Sequence, residues 1–505
     1  MACHSRSVQS GGLDLEGSGP GELSRAIQVR NNLVRVSPLN PAARAKGHAL
    51  IYPGRTDKSY LFRKINQGLD PGLTLDPEEG AQMPKDQAAT LSSGEKELIR
   101  QWIQFGAPTT GEVVQPGLLN AYYNQGGIAS FTAAPPAPPA SEGFQLKMGP
   151  FFVEPNGEIE YYQKWELDLP EDVEVNRIDF LFGNYSHHFL LYQFDNNMAD
   201  VPDGLRIDAD HRNIKLVAAV QEPTPLQLPG NTAFFWNKGA ILDLNSHYIN
   251  YSATLPLQAE VYVNVYVQPR GSARHEMKSI LIPNLNIPIP NNGQLITHER
   301  EFIYPGQVYL WGMMGHTHKY GKDYKVYYRK PDGSKGDILY NASCYEGRPS
   351  CPSPFFDYRH IPFRKWEPLL PLPLVPGLIH QAQYLNDGPV PVNWGSTSKD
   401  EMMLMILFYT EDSTGITTGI EHPVSNPNTL RFLPNPGTSH CLVEGAIPGD
   451  HKLLEIYPMS GNRIHVQPFT NPQIDLSSLN PGLYLIRISD PTGPAQIGKM
   501  VVGGR

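Results

Sequence analysis

Short runs in which apolar and polar positions alternate dominate residues 144–415. The run Val-Tyr-Val-Asn-Val-Tyr-Val at 261–267 consists almost entirely of β-branched and aromatic residues, and residues 402–409 form a second strand-like run. Turn-forming clusters such as Asn-Asn-Gly at 291–293 separate these runs. Many short strands divided by turns predict β-sandwiches or jelly rolls, and the segment is long enough for two, with a break near residues 283–290.

Residues 1–108 have a helical pattern instead. Ser92 and Glu95 are spaced as a capping box at the start of a helix. The apolar residues that follow fall on one face of that helix: Leu98, Ile99, Trp102 and Ile103. The sequence Gly-Ala-Pro at 106–108 is expected to end it.

These patterns divide the chain into five parts. After the small helical domain, a linker of residues 109–143 includes a proline- and alanine-rich stretch at 133–140, which predicts an extended polyproline spacer between domains. Two jelly-roll-like sandwiches are expected at 144–288 and 289–415, and a small β-sandwich module at 426–505. The expected fold class is therefore mainly β, with one small α-helical domain at the front.

Composition supports this division and narrows the class of partner. With 505 residues the chain is too long for one core and has room for roughly three to four domains. Its 48 prolines and 46 glycines fit β-rich domains joined by many turns. The net charge of -9 gives no reason to expect nucleic acid or an anionic membrane as a partner. No stretch approaches the roughly 20 apolar residues that span a bilayer.

The four cysteines are too few for a disulfide framework. Cys344 and Cys351 lie close together in a loop rich in proline and glycine, where they either form a local disulfide or remain two thiols. Cys3 and Cys441 have no obvious partner. No signal peptide is visible, and the first residues resemble the second half of a motif, so we expect coding sequence upstream of Met1.

Two pairs of histidines are candidate metal ligands. His316 and His318 follow a strand-like run, and residues i and i+2 of a strand point to the same face, so that both imidazoles suit one metal. His187 and His188 are adjacent, and on a regular strand they would point to opposite faces. They can hold one metal only if the backbone is bulged there. Taken alone, each pair is more often an ordinary surface or core pair than a metal site.

Two further residues gain meaning only as members of a set. His247 carries no signal by itself, and Met402, at the head of an apolar strand, is more often a core residue than a ligand. Together with the histidine pairs they are more informative, because thioether and imidazole form a soft combination that selects copper(I). Zinc would favour cysteine, histidine or carboxylate instead.

In this order, these residues resemble the copper type II, ascorbate-dependent monooxygenases, a family that includes peptidylglycine- and dopamine-hydroxylating enzymes. The resemblance covers about residues 144–415. Its landmarks are His187-His188-Phe189-Leu190-Leu191, His247-Tyr248, His316-Thr317-His318 with Gly321-Lys322, and Asp400-Glu401-Met402. It implies two jelly-roll-like sandwiches that each carry one copper and face each other across a solvent-filled cleft.

The resemblance also implies one copper that supplies electrons and a second, catalytic copper that binds dioxygen. The ligands of the first would be His187, His188 and His247, and those of the second His316, His318 and Met402. Three neutral imidazoles tolerate both oxidation states, whereas a thioether favours the reduced one. The implied reaction hydroxylates a C–H bond of a small organic substrate, using O2 and two electrons from ascorbate or another reductant. The alternative is a secreted copper-binding or electron-transfer protein without catalytic activity.

The sequence departs from the family pattern at four positions. Many relatives have a cysteine directly after the methionine ligand, bonded to one in a preceding strand. Here these positions are Met403 and Ala382, and we expect an apolar contact instead. Met314 stands where peptidylglycine enzymes have an arginine that grips the substrate carboxylate, and Ile406 stands where they have a tyrosine. A peptide C-terminus is therefore not the expected substrate, and the pocket is expected to be more apolar.

The first residues resemble the end of a Cys-x-x-Cys-His haem attachment motif. Cys3 would form a thioether to haem, His4 would be the proximal ligand, and Met83, which precedes Pro84, would be the distal ligand. With the closing helix, this matches small bacterial c-type cytochromes. The first cysteine of the motif would precede Met1, so attachment of haem needs that upstream residue. A haem beside the coppers would be an electron donor.

Five segments near the C-terminus resemble the C-terminal sorting domain of the type IX secretion system of Bacteroidetes. They are residues 430–432, 434–436, 474–479, 482–486 and 499–502. The resemblance implies recognition by the type IX secretion machinery and export to the extracellular space or the cell surface. The alternative is an ordinary small β-sandwich.

Overall fold

A helical domain opens the chain. The computed structural model describes residues 4–85, 91–183, 185–195, 199–207, 212–220, 223, 225–395, 399–417, 430–433, 437, 439–444, 446, 448–449, 451–458, 463–490 and 493–503. The helices are α1 (Glu22–Leu33), α2 (Pro41–Ala45), α3 (Tyr60–Ile65), α4 (Ser93–Gln104) and α5 (Pro116–Gln125). Ser92 caps α4 as the sequence predicts. Its hydroxyl accepts from the Glu95 N–H at 3.2 Å, and the Glu95 carboxylate accepts from the Ser92 N–H at 2.8 Å.

Helix α4 buries part of its polar side as well as its apolar side. Ile103 packs in the core of the helical domain, whereas Leu98, on the predicted apolar face, is 42% exposed. Gln101 is buried, and its side-chain amide donates to the carbonyl oxygen of Pro150 in the first sandwich at 2.8 Å. The predicted apolar face is therefore only partly correct, because the helix also docks the helical domain on the sandwich.

The first sandwich contains twelve of the described strands. They are β1 (Ile128–Ala129), β2 (Gly143–Val153), β3 (Glu158–Glu166), β4 (Val173–Phe182), β5 (Ser186–Phe194), β6 (Leu205–Arg206), β7 (Ile214–Val220), β8 (Pro225–Gln227), β9 (Thr232–Trp236), β10 (Ile241–Ile249), β11 (Leu257–Pro269) and β12 (His275–Glu276). One sheet has the order β6-β3-β10-β5-β7. The other follows β1-β11-β4-β9-β12, with β2 on β11 and β8 on β4. Strand β11 contains the predicted run 261–267, and its valines are buried or half-buried in the core.

The second sandwich consists of two four-stranded sheets. Its strands are β13 (Lys278–Pro283), β14 (Leu295–Phe302), β15 (Gln307–His316), β16 (Gly321–Arg329), β17 (Lys335–Asn341), β18 (Arg364–Pro373), β19 (Leu378–Leu385) and β20 (Leu404–Thr410). The orders are β13-β20-β15-β18 and β14-β19-β16-β17. Because β13 pairs with β20, the second sandwich begins before the expected boundary at residue 289. The stretch 283–290 follows its first strand rather than dividing the two sandwiches.

The sheet β13-β20-β15-β18 is covered on both faces. Along β20, Met405 and Leu407 belong to the core of the second sandwich, whereas Ile406 and Phe408 belong to the apolar cluster of the first. Neighbouring residues of a strand point to opposite faces, so one face meets its own partner sheet and the other meets the first sandwich. A strand buried on both faces has a continuous apolar sequence, which explains the run at 402–409.

The segment 109–143 packs against the first sandwich. It contains α5 and β1, and β1 pairs in parallel with β11. Its proline-rich part also contacts the sheet, since the carbonyl oxygens of Pro135 and Pro136 accept from the side-chain amides of Gln145 and Asn264 at 3.2 Å and 3.1 Å. The expectation of an extended spacer is therefore wrong: these carbonyl oxygens find donors on the sandwich surface.

A third, smaller sandwich lies near the C-terminus and has its own apolar core. Its strands are β21 (Arg431–Leu433), β22 (His440–Glu444), β23 (Leu453–Pro458), β24 (His465–Pro468), β25 (Gln473–Asp475), β26 (Gly482–Asp490) and β27 (Gly493–Val502). They form sheets in the orders β21-β22-β25 and β24-β23-β26-β27. The predicted motif residues 434–436 lie outside the described residues.

The mainly β architecture predicted from the sequence is confirmed, and so is one disulfide. Cys344 and Cys351 are bonded, with their Cα atoms 5.6 Å apart. Cys441 is buried in the small sandwich as a free thiol. In the described part of the chain, no helix is both long and apolar enough to cross a membrane.

Candidate metal centres

Three histidines of the first sandwich meet at an irregularity in β5. His188 lies opposite His247 of β10, but the next pair is Ser186 with Tyr248. His187 is therefore the extra residue of a β-bulge, which is the condition under which two adjacent histidines can serve one metal. Each of the three imidazoles offers a nitrogen within 4.8 Å of the other two. We call this cluster the first centre.

The nitrogens of the first centre have the spacing that one ion requires. The Nδ1 atoms of His187 and His188 are 3.1 Å apart. Two nitrogens that each bind an ion at about 2.0–2.1 Å lie about 3 Å apart when the bonds enclose roughly 90–110°. The ring centroids of His187 and His247 are 4.8 Å apart, and those of His188 and His247 are 5.0 Å apart. The cluster therefore fits a single metal ion.

Two glutamates of β3 orient the rings. Glu158 Oε1 is 2.7 Å from Nε2 of His247, and Glu160 Oε1 is 3.2 Å from Nε2 of His188. Because a carboxylate engages Nε2 of each ring, Nδ1 is left for a metal. The amide of Asn245 donates to Glu160 at 2.9 Å and fixes its position.

Burial and these carboxylates determine the charge of the first centre. Burial and the neighbouring imidazoles hold the pKa of His187 well below its usual value, so that the ring is uncharged at neutral pH and one nitrogen keeps a lone pair for a metal. Burial also opposes charge on His247, but the hydrogen bond that its Nε2–H donates to Glu158 and the nearby charge of Glu160 raise its pKa. The His247 contact lowers the pKa of Glu158, and that of Glu160 is lowered by His188 although burial acts in the opposite direction. Two anionic carboxylates therefore favour positive charge here.

The second pair of histidines lies at the end of β15. His316 is its last residue and His318 follows in the turn to β16, with the ring centroids 5.2 Å apart. Gly321 permits this turn, since a Cβ there would be 2.2 Å from the buried hydroxyl oxygen of Thr317. Burial lowers the pKa of His316 to about 3 and lowers that of His318 as well. Both imidazoles are therefore neutral and able to bind a metal.

A buried carboxylate ties Met402 to this turn. Glu401 accepts from the backbone N–H groups of His318, Tyr320 and Met402 at 2.9, 2.7 and 3.3 Å. Burial raises the pKa of Glu401 to about 7, against these three donors, which lower it. Glu401 thus holds the histidine turn and the methionine in one arrangement.

Backbone pairing completes this second centre. Nδ1 of His318 is 2.9 Å from the carbonyl oxygen of Asp400, to which it donates, so that Nε2 is left for a metal. Leu404 pairs with His316 across β20 and β15. The backbone next to Met402 is therefore tied to the turn that carries His318, and we call His316, His318 and Met402 the candidate second centre.

The two centres lie at the interface of the two sandwiches and influence each other. Besides burial, the charge of His188 contributes to the low pKa of His316. Tyr358 belongs to a loop of the second sandwich, and after burial the carboxylates of Glu158 and Glu401 contribute to raising the pKa of its hydroxyl. Side chains of the two centres are therefore within electrostatic reach of one another and of the same tyrosine.

Several side chains of these centres were missed by sequence reasoning. Glu158 and Glu160 have an i, i+2 spacing in a strand, a signal that places both carboxylates on one face. His360 has its ring centroid 5.7 Å from that of His187, although it belongs to the second sandwich. It lies in an irregular loop, where no periodic pattern could have indicated it.

The four residues that depart from the family pattern are all buried. Met314 and Ile406 are cross-strand partners and belong to the apolar cluster shared between the sandwiches. Met403 and Ala382 are fully buried in the core of the second sandwich, where an apolar contact was expected. A cavity of about 270 Å³ opens at another part of the interface, lined by residues of β7, β9 and β13 and by none of these histidines.

Of the residues expected to bind haem, Cys3 lies outside the described residues. Nδ1 of His4 is 3.0 Å from the carbonyl oxygen of Ser10, and the N–H of Met83 donates to the carbonyl oxygen of Lys64 at 2.7 Å. Within the described part, no hydrogen bond joins His4 to Met83. The core of the helical domain is small, with five buried apolar side chains and eleven partly buried ones packed against them.

Strand β3 connects the helical domain to the first centre. Near its C-terminal end, Trp165 packs under the guanidinium of Arg55 at 3.8 Å, and Glu166 accepts from the hydroxyl of Tyr52 at 2.9 Å. Its N-terminal half carries the two glutamates of the first centre. One strand therefore contacts both the helical domain and the histidine cluster.

Comparison with known proteins identifies one part of the chain. Residues 431–503 match the family of secretion system C-terminal sorting domains. The chain is therefore exported by the type IX secretion machinery to the cell surface or the extracellular space, as proteins with this domain are in Bacteroidetes. No curated protein matches the chain.

Two solved structures are weakly similar. PorZ, an essential surface component of the type IX secretion system of Porphyromonas gingivalis, is 14% identical over 20% of this chain, with a TM-score of 0.14. The chain covers 14% of the length of PorZ. The STIV MCP is 11% identical over 54% of this chain and 93% of its own length, with a TM-score of 0.23. Similarities of this size say nothing further about function.

Proposed function

We propose that this chain is an exported copper-dependent monooxygenase, which hydroxylates a C–H bond of a small organic molecule with O2 and two electrons. One observation carries the proposal. A β-bulge gathers three histidines, and a second pair of buried histidines, whose turn is tied through Glu401 to the backbone of Met402, lies at the same interface. Two unlike donor sets close together suit a division between a site that supplies electrons and a site that binds dioxygen.

The first donor set fits copper in both oxidation states. Neutral imidazoles are good ligands for copper, and the carboxylates of Glu158 and Glu160 hydrogen-bond to two of the rings. Carboxylates in this position raise the basicity of a histidine ligand. Their negative charge stabilises the more highly charged cupric state.

The second donor set favours the reduced ion. A thioether is a soft ligand that selects copper(I). The ring of His318 is oriented by a neutral backbone carbonyl, so that this contact adds no formal negative charge. Buried, neutral imidazoles and an apolar setting therefore suit the cuprous state at the proposed dioxygen site.

Copper, when bound, would supply one-electron redox chemistry and the affinity for dioxygen. The residues of the chain orient the ligands and shield them. Glu401 fixes the turn that carries His318, and the cross-strand pair of Met314 and Ile406 keeps the adjoining strands apolar. Because Met314 cannot pair with a carboxylate, we infer a substrate without the terminal carboxylate of a peptide.

Electrons would come from ascorbate, another small reductant, or a haem in the helical domain. Cys3, His4 and Met83 are the residue types that would bind such a haem. The domain is docked on the sandwich that carries the first centre, through contacts that include β3. This position supports a role for it as the electron donor.

Metal content and oxygen chemistry test the proposal together. After copper reconstitution, we expect about two coppers per chain, consumption of O2 with ascorbate, and incorporation of label from isotopically labelled O2 into an apolar small-molecule substrate. The H298A variant, which changes a half-buried histidine of β14 outside both centres, is the matched control and should behave as the wild type. Fewer than two coppers would reject the proposal. Two coppers that cycle between oxidation states without oxygen incorporation would support the secreted electron-transfer protein instead.

A further inference from the structure

A long loop of the second sandwich reaches the first centre. It spans residues 342–363, between β17 and β18, and we call it the cleft loop. Apart from a short 3-10 helix at Tyr345–Gly347 it has no regular structure, and connections of this length are uncommon in compact domains and usually have a function. Its position next to the three histidines indicates what that function is.

The cleft loop is held firmly at both ends. Near its start, the disulfide between Cys344 and Cys351 closes a small ring, and the hydroxyl of Ser343 donates to Asp323 at 2.8 Å. Near its end, the hydroxyl of Tyr340 donates to the carbonyl oxygen of Pro362 at 2.6 Å. These contacts give the loop a defined conformation.

The tip of the loop presents His360 to the first centre. Asp357 and Arg359 form an ion pair at 2.9 Å, and the N–H of His360 donates to the carbonyl oxygen of Asp357 at 3.1 Å, which closes a tight turn. The His360 ring lies 5.7 Å from that of His187, centroid to centroid. The rings within the first centre are 4.8–5.2 Å apart, centroid to centroid, so His360 lies slightly farther out, on the side of His187.

The polar atoms of His360 are left without partners. Both ring nitrogens are buried, and neither has a hydrogen-bond partner within the described part of the chain. A buried polar group without a partner costs about 1–3 kcal/mol, so a histidine in this state is expected to have a ligand in the functional protein. The nearest feature that needs a nitrogen donor is the first centre.

We propose that His360 is a fourth imidazole ligand of the first centre, supplied by the second sandwich across the interface. Copper(II) prefers a tetragonal set of nitrogen and oxygen donors, and three histidines of one sandwich leave one position of such a set to be filled. The inference rests on the proposed copper function. It adds that the first centre is built by both sandwiches, and that copper binding ties them together.

The experiment counts imidazoles at the first centre alone. The full chain with H316A and H318A retains only the first donor set, and one equivalent of copper(II) is added to it. Pulsed electron paramagnetic resonance then gives the number of coordinated imidazoles, and a competition titration gives the copper(II) dissociation constant. The same measurements are made after adding H360A, H360F or, as the matched control, H298A.

We expect four imidazoles in the parent and in H298A, three in H360A and H360F, and a copper(II) affinity lowered on the order of tenfold or more. Circular dichroism of the metal-free variants checks that they fold, and H360F preserves ring volume if H360A does not. If the parent and all its variants show three copper-bound imidazoles, the inference is overturned, even if the H360A and H360F variants bind copper(II) more weakly. The proposed function would still stand in that case, provided that the wild type binds about two coppers. A parent that binds no copper overturns both.

Discussion

The two centres use histidine in different ways. In the first, the rings are fixed from outside by carboxylates of β3, which are anionic and reach His188 and His247 directly. In the second, His318 is fixed by a backbone carbonyl, and the buried carboxylate of Glu401 accepts from backbone N–H groups. The difference teaches that the groups behind the ligands, as much as the ligands themselves, set the charge that a centre stabilises.

The largest effect should follow from removing the thioether. We expect M402A to reduce ascorbate-dependent O2 consumption to the background rate, because the second centre loses the ligand that favours reduced copper. X-ray absorption should show that copper–sulfur scattering disappears, while the nitrogen scattering of the first centre remains. M405L, which alters a buried methionine of the following strand β20, is the matched control and should keep both activity and the sulfur signal. Persistence of the sulfur signal in M402A would assign the ligand elsewhere.

Removing one histidine of the first centre should lower the copper content there and leave the copper–sulfur signal of the second centre unchanged. We expect H247A to weaken copper binding at the first centre, so that at limiting copper the chain holds closer to one copper than two, because His187 and His188 keep only the proposed ligand His360 beside them. The remaining copper should keep its copper–sulfur scattering. Elemental analysis together with X-ray absorption checks this. Loss of the sulfur signal in H247A would mean that the two centres do not assemble independently.

The buried carboxylate of the second centre should make the metal-free protein pH-dependent. The pKa of Glu401 is raised from 4.5 to about 7 by burial, so the folded state binds this proton more tightly than the unfolded state. Protonated Glu401 therefore adds about 3 kcal/mol to the free energy of unfolding. This stabilisation is fully present below pH 4.5 and is lost as the pH rises through about 7. Denaturant unfolding at several pH values should show this fall in the free energy of unfolding for the wild type. In E401Q the same fall should be absent, and an identical pH profile would argue against the assignment.

A smaller effect is expected from neutralising a carboxylate of the first centre. We expect E160Q to weaken copper(II) binding there by about tenfold, because the amide cannot supply the negative charge that supports His188. The second centre should be unchanged, as read by its copper–sulfur scattering. Equal weakening at both centres would show that the carboxylates act through the whole interface rather than through one ring.

The smallest effect is expected at the neighbouring glutamate. The side chain of Glu158 is 52% exposed, whereas that of Glu160 is 22% exposed. Solvent screens the more exposed charge, so E158Q should weaken copper(II) binding by only a few-fold. Titrating E158Q and E160Q side by side measures the difference. A larger loss in E158Q than in E160Q would reverse the assigned order.

Local pattern predicted the strands and the capped helix, but not the relations between them. The run at 261–267 became part of β11, and Ser92 caps α4, because both signals depend on neighbours in sequence. Strand geometry alone shows that His187 and His188 can share a metal only if the backbone is bulged. Whether a bulge forms there depends on how β5 pairs with β10. Such pairing is a property of the sheet and is invisible in either strand alone.

The parts of the site that were missed depend on longer-range relations. Glu160 meets His188 only because β3 and β5 lie on opposite sides of β10 in one sheet. His360 reaches His187 only because two sandwiches pack together. The spacer expected at 133–140 failed for the same reason, since its backbone carbonyls found donors on a surface that the sequence does not specify.

The sheet β13-β20-β15-β18 has a thermodynamic consequence. Its two covered faces mean that loss of either sandwich would expose a whole apolar sheet face of the other. The pair should therefore melt as one cooperative unit, and calorimetry should record a single transition for both. The small C-terminal sandwich has a separate core, so its melting should form a second transition, and removing it should leave the first one in place.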